Sequence, residues 1–247
     1  MPQSGKIKIN EAALIKGEYT LSEDGLKNLL SWKPRIGEAF TISDADSNLF
    51  RARLIELGMD TARVIVFEQI GKAAPEPEIT LIQALPEKER MELIIQKATE
   101  LGVKRVIPFK SEKSTSLEER EALQKKSHKW QEIALKAAKQ SRRDTIPDVL
   151  PYCSFEEAMG LCEDAGLKLI LWERQGITHL KGALKSFKNP SPKVCLLSGP
   201  EGGLEEPEID KARQSGFIPV SLGKRILRTE TAAIIGVALV QYELGED

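Results

Sequence analysis

Two short segments of this 247-residue chain combine residue types that can do chemistry. The first reads Leu196-Leu197-Ser198-Gly199-Pro200-Glu201-Gly202-Gly203. Its glycines permit positive φ and close backbone approach, and Pro200 fixes one φ, so main-chain amides and carbonyls could grip a ligand there. A plain strand-to-helix turn would use similar residues; the density of glycine and proline tilts the reading toward a ligand. The second reads Ser221-Leu222-Gly223-Lys224-Arg225-Ile226-Leu227-Arg228-Thr229-Glu230-Thr231-Ala232-Ala233. Thr229 is a reasonable N-cap for the helix that follows. Arg225 and Arg228 then sit just outside a helix start, where the dipole disfavours cations. An anionic ligand or an RNA phosphate would explain them; so would an ion pair with Glu201, or simple solvation.

Other chemistries lack their residues. There is no GxGxxG for a nicotinamide or Rossmann-type site and no GxxxxGK[ST] P-loop. Ser198 has no nucleophile-elbow pattern around it. His128 and His179 are isolated, and no Asp/Glu/His cluster has metal-ligand spacing, so no metal is expected.

These segments must be positioned by a scaffold. Residues 1–70 read as mostly β, with strands over Ala39–Ile42, Leu49–Leu57 and Ala62–Phe67 and a short helix, Glu23–Trp32, between Ser22 and Pro34. A small barrel suits such strands. Gly71-Lys72-Ala73-Ala74-Pro75-Glu76-Pro77 reads as a linker, which divides the chain into residues 1–72 and 78–247. Beyond it strands and helices alternate. Strands are expected at Ile79–Leu85, Val103–Pro108, Leu167–Trp172, Val194–Leu197 and Phe217–Leu222. Helices are expected at Glu87–Leu101, Leu117–Ser141, Phe155–Cys162, Glu205–Ser215 and Thr229–Leu244. That rhythm implies an α/β domain with a largely parallel sheet. Ligands of such sheets bind beyond the carboxyl ends of the strands, where both segments fall.

Composition is ordinary for a globular protein, with 30% charged residues and a formal net charge of −1. The charge is uneven: Lys104 to Arg143 holds 12 Lys+Arg against five acids, a block that can attract phosphates or form a solvated helix face. No apolar run reaches membrane-span length, the first residues lack a signal-peptide core, and three Cys form no disulfide or zinc pattern. The expectation is a cytoplasmic protein without a membrane partner.

With both loops in view, Gly199-Pro200-Glu201-Gly202-Gly203 and the run from Leu222 to Ala233 resemble the SPOUT-type methyltransferases. More closely, the chain is similar to the bacterial 16S ribosomal RNA uracil-N3 methyltransferases, the RsmE family. MELIIQKATELGV (91–103), IPFKSEKS (107–114) and Gln140-Ser141-Arg142-Arg143 followed by Pro147 extend the likeness, which covers about 79–247. The resemblance implies a PUA-like β-barrel that helps hold RNA, then an α/β domain with a trefoil knot. It implies a homodimer and S-adenosylmethionine bound by Leu171, Trp172 and Glu173, by Leu197, Ser198, Gly199, Pro200 and Gly203, and by Ser221, Leu222, Gly223, Ile226, Leu227, Arg228 and Thr231. Departures accompany it: Ser31 stands where an arginine is usual, Glu87-Lys88 replaces Lys-Gly, and Arg142 replaces a glycine.

The implied reaction is methyl transfer to uracil N3 in 16S rRNA or the small ribosomal subunit. N3 must lose its proton, and the uracil oxygens then gain negative charge that a nearby cation stabilises. Arg228 is the first candidate for that cation and Arg143 the second. Glu201 or Glu230 would accept the proton or orient an arginine. Lys110, Lys113, Arg142, Arg143 and Arg225 are the candidate RNA contacts. A methyltransferase for another RNA position and a non-catalytic RNA-binding assembly factor are the alternatives.

Overall fold

The computed structural model describes residues 6–72, 76–114, 116–117, 129–173, 177–189 and 192–245. The chain forms two compact units, one of Met1–Ala74 with Leu135–Pro147, the other of Pro75–Ala134 with Asp148–Asp247.

The first unit is built on β1 (Glu18–Thr20), α1 (Glu23–Ser31), β2 (Ala39–Ser43), β3 (Asn48–Leu57) and β4 (Ala62–Lys72). The strands form a four-stranded antiparallel sheet in the order β1-β4-β3-β2. Alternation puts Phe50, Ala52 and Leu54, then Val64 and Val66, on one buried face, against Leu29 and Trp32 of the α1 region. Ser22 caps α1 by accepting from the Gly25 N–H at 3.2 Å. Asp44 organises the β2–β3 turn, accepting from the N–H groups of Asp46 and Asn48. The expected linker starts later than its composition suggests: Gly71 and Lys72 belong to β4, paired with Leu49 and Asn48.

The segment from Leu135 to Pro147 joins this unit because Ala138 and Ile146 are buried in the same core. The Thr41 hydroxyl donates to the Arg142 carbonyl at 2.8 Å, and Lys139 pairs with Glu38 at 2.6 Å. Nothing in the local sequence of 135–147 marks that allegiance.

The second unit follows the expected alternation and adds two short strands and a short helix to it: β5 (Glu78–Ala84), α2 (Lys88–Glu100), β6 (Arg105–Phe109), the start of α3 (Trp130–Gln140), β7 (Asp148–Val149), α4 (Phe155–Gly160), β8 (Leu167–Leu171), β9 (Thr178–His179), α5 (Leu180–Ser186), β10 (Lys193–Ser198), α6 (Glu206–Gln214), β11 (Ile218–Ser221) and α7 (Thr229–Leu244), the additions being β7, β9 and α5. Residues 118–128 of the long helix expected over Leu117–Ser141, His128 among them, lie outside the described residues. The strands form a seven-stranded parallel sheet, ordered β7-β6-β5-β10-β8-β11-β9. Its apolar strands are buried on both faces. Leu81, Leu169 and Leu196 point into one core with α2 and α7, while Ile82, Ile170 and Leu197 point into another with α4 and α6. Gly102, at φ 95, closes α2, and Gly216, at φ 86, closes α6.

Candidate active site

Three loops leave the carboxyl ends of the neighbouring strands β8, β10 and β11 and surround a cleft of about 280 Å³. After β8, the chain gives Leu171, Trp172 and Glu173 to one wall. The Trp172 N–H donates to the Val220 carbonyl at 3.0 Å, and the Arg213 guanidinium stacks over the indole at 5.3 Å. After β10, Ser198, Gly199, Pro200, Glu201 and Gly203 form a second wall, folded by a bond from the Gly203 N–H to the Pro200 carbonyl. Gly203 sits at φ 71, which an L side chain rarely adopts, and a Cβ on Gly199 would press Leu204 at 3.1 Å. After β11, Ser221, Leu222, Gly223, Ile226, Leu227 and Arg228 complete the lining; Gly223 is at φ 133, held by its N–H bond to the Ser221 hydroxyl.

One hydroxyl ties the second wall to the third. Thr229 donates to the Gly199 carbonyl, and the Gln83 amide donates to Thr229 Oγ1 and to the Gly199 carbonyl, each at 3.2 Å. Thr229 is therefore not the N-cap that its position suggests. It is the first helical residue, Arg228 occupies the cap with extended backbone, and the hydroxyl serves a loop thirty residues away.

The acids and bases sort themselves differently from their order in sequence. Glu201 lines the cleft and accepts from the Glu87 N–H at 2.8 Å, and its cation is Arg90, at 3.5 Å, rather than Arg225 or Arg228. Glu230 does not line the cleft; its carboxylate, 13% exposed, lies 3.6 Å from the same Arg90. Arg225 and Arg228 are exposed on the lining and form no ion pair among the described residues. Sequence reasoning missed Arg90, which also lines the cleft; an arginine near the start of an amphipathic helix looks like any solvated cation. Leu204 and Ala232 were missed as well.

Two expected cofactor residues are elsewhere. Leu197 is fully buried in the core between the sheet and α6, and Thr231 is exposed on α7 away from the lining. Of the expected RNA contacts, Arg225 is on the cleft, Lys110 is exposed after β6, and Lys113 pairs with Glu205 at 2.7 Å. Arg142 and Arg143 belong to the first unit. Arg142 takes φ 59, the left-handed conformation that glycine adopts more easily, at the end of α3. Arg143 donates to Thr145 Oγ1 at 3.3 Å.

None of the three cysteines lines the cleft: Cys162 and Cys195 are buried in the core, and burial, with Glu157 nearby, pushes Cys153 up to about 11. Among the described residues no group of His, Cys, Asp and Glu is placed to hold a metal ion, and no helix is long and apolar enough to cross a membrane.

Known proteins resemble this chain in sequence and fold. The family model of the RNA methyltransferase domain matches residues 74–241. A ribosomal RNA small subunit methyltransferase E of Bacillus subtilis is 29% identical over 211 residues, covering 84% of this chain and 82% of its own length. That of Mesomycoplasma hyopneumoniae is 35% identical over 182 residues, covering 73% and 77%. The crystal structure of a ribosomal RNA small subunit methyltransferase E from Neisseria gonorrhoeae, bound to S-adenosyl methionine, is 31% identical, covers 96% of each chain and superposes with a TM-score of 0.63.

Proposed function

The chain belongs to the RNA methyltransferase domain family, and from that premise we propose that it transfers a methyl group from S-adenosylmethionine to N3 of a uridine in small-subunit (16S) ribosomal RNA. The observation that carries this reading is the cleft itself. Loops from three adjacent parallel strands meet there, two of them lining it with glycines and joined by the Thr229 hydroxyl, with two cations lacking ion-pair partners among the described residues on the lining.

The residues present fit the cofactor. The cleft is near the lower end of the roughly 300–1,000 Å³ range of small-molecule sites. Leu171, Leu222, Ile226 and Leu227 offer an apolar bed, and the main chain around Gly199, Gly203 and Gly223 offers amides and carbonyls without Cβ atoms in the way. Glu173 and Glu201 favour a ligand that bears positive charge. When bound, S-adenosylmethionine supplies an electrophilic methyl group on a sulfonium. The chain's residues orient the uracil, remove its N3 proton and stabilise the charge that develops on its oxygens. Arg228 is the cation for that charge, because it lines the cleft and no carboxylate holds it among the described residues. Glu201 is better placed than Glu230 to take the proton, since it lines the cleft and Glu230 does not.

Finer features belong to the same proposal. The antiparallel sheet of the first unit is a PUA-like RNA-holding barrel within residues 1–72, followed by a knotted SPOUT domain within 78–247. Convergence of Gly199, Thr229 and Gln83 supports the knot, since threading would bring those segments together. The protein is a homodimer through α7, whose outer face carries Ile235, Leu239 and Tyr242 exposed at 41%, 41% and 83%. A helix apolar on nearly every side needs cover on both. Arg143 is the second candidate cation, supplied by a partner subunit, and Lys110, Lys113, Arg142 and Arg225 contact RNA. The reaction belongs in the cytoplasm, with ribosomes. The test is transfer of labelled methyl from S-adenosylmethionine to small-subunit RNA lacking the modification. Incorporation is expected; a protein that binds neither cofactor nor RNA would overturn the reading.

A further inference from the structure

Arg90 stands where a cation is electrostatically unfavourable. It is the third residue of α2, in the first turn, where the helix dipole prefers acids. Three carboxylates offset that cost. Its Nε lies 3.3 Å from Glu87 and 3.5 Å from Glu201, and its Nη1 lies 3.6 Å from Glu230. These carboxylates come from three separate stretches of chain. Glu201 belongs to the loop after β10, one wall of the cleft, and Glu230 to the first turn of α7, directly after the wall that ends at Arg228. Glu230 Oε2 is buried and forms no hydrogen bond, so Arg90 is its charge partner among the described residues.

An exposed ion pair contributes little to stability. Arg90 differs from one because its side chain and that of Glu230 are 30% and 13% exposed, and because its planar fork faces three carboxylates at once, which a point-charge ammonium does less well. We propose that Arg90 is the positioning residue of this cleft: it sets the spacing between the Glu201 loop and the start of α7, and thereby aims Glu201 and Arg228 at the reacting base. The proposal rests on the methyltransferase reading above. It assigns Arg90 no contact with reacting atoms; Arg90 acts through Glu201 and Glu230.

The experiment measures S-adenosylmethionine binding by calorimetry, and kcat and KM for methyl transfer to small-subunit RNA, in the wild type, Arg90→Met, Arg90→Lys, Glu230→Gln and the double variant Arg90→Met/Glu230→Gln. Misplacing the catalytic groups by an ångström lowers kcat about a hundredfold, so Arg90→Met is expected to lose about that much in kcat with KM for RNA unchanged. Arg90→Lys is expected to fall between, because it keeps the charge and loses the fork. Arg90→Met is expected to cost less in the Glu230→Gln background than alone, since residues acting through one contact are non-additive. Wild-type kcat in Arg90→Met would overturn the proposal. If Arg90→Met fails to fold, Arg90→Lys decides, and wild-type kcat there overturns it equally. A wild-type protein that neither binds the cofactor nor transfers methyl would overturn the underlying reading and this proposal with it. Cofactor binding and transfer by the wild type, with full activity in the Arg90 variants, would remove only the role of Arg90.

Discussion

Replacing Thr229 by valine removes one hydroxyl and almost no volume, so it isolates the tie between the cleft walls. Thr229 is 6% exposed, and its hydroxyl donates to the Gly199 carbonyl and accepts from the Gln83 amide. The two losses are unequal. The Gln83 amide has two hydrogens and three acceptors in reach, the Ala84 and Gly199 carbonyls and Thr229 Oγ1, so losing one acceptor leaves both hydrogens served. The Gly199 carbonyl keeps the Gln83 amide but loses its nearer donor. The cost is then about one buried hydrogen bond, roughly 1–1.5 kcal/mol. Gly199 and Thr229 both line the cleft, so part of that loss appears as a proposed cofactor site that must be reassembled on binding. About 1.4 kcal/mol is tenfold in affinity, which sets the ceiling: S-adenosylmethionine binds Thr229→Val up to about tenfold more weakly. Calorimetric titration measures this, with Thr229→Ser, which keeps the hydroxyl, as the control that stays near wild type. Equal affinity in Thr229→Val and wild type, or a greater loss in Thr229→Ser than in Thr229→Val, would refute the role of the hydroxyl.

Three further expectations follow from particular residues. Arg228→Ala lowers kcat by about a hundredfold or more, as loss of a transition-state charge partner does, while cofactor-free melting stays near wild type; full activity would remove Arg228 from the mechanism. Arg142→Gly stabilises the protein by about 0.5–1 kcal/mol, because relief of the left-handed φ outweighs the extra freedom of glycine in the unfolded chain, and urea unfolding reads the gain. Asp44 is buried, which raises its carboxyl pKa, but bonds from Asn48, Ala13 and Asp46 overcome that and hold it below the ordinary value. A depressed folded pKa means that the contribution is complete above the ordinary carboxylate range and disappears as pH falls through the folded value. Wild-type stability of the first unit should thus drop in acid, and Asp44→Ala, already destabilised by about 1–3 kcal/mol at neutral pH, should show a shallower drop over the same pH range in urea titrations.

The alternation of strands and helices was legible because the longer parallel strands are short, mostly apolar runs and the helices carry apolar residues at helical spacing, as with Met91, Ile94, Ile95 and Ala98. The cleft loops were legible for a local reason: backbone at φ 71 and 133 calls for Gly203 and Gly223. What escaped was set by distant contacts. Thr229 reads as a cap until the Gly199 carbonyl, thirty residues earlier in the chain, claims its hydroxyl. Arg90 reads as a surface cation until Glu201 and Glu230 arrive beside it. Leu135–Pro147 reads as part of the larger domain, yet burial of Ala138 and Ile146 assigns it to the smaller. The near-neutral net charge conceals a basic stretch whose described members divide between the two units, with Lys113 in one and Arg142 in the other.

The proposed activity is methylation of a uridine at N3 in the small-subunit RNA. Its most direct test is nucleoside mass spectrometry of 16S rRNA from cells lacking this gene, before and after incubation of their small subunits with the purified protein and S-adenosylmethionine. One new N3-methyluridine, formed far more slowly in a parallel incubation with Arg228→Ala, is the expected result. A methyl group on a different base or on a ribose, or none at all, would contradict the proposed activity.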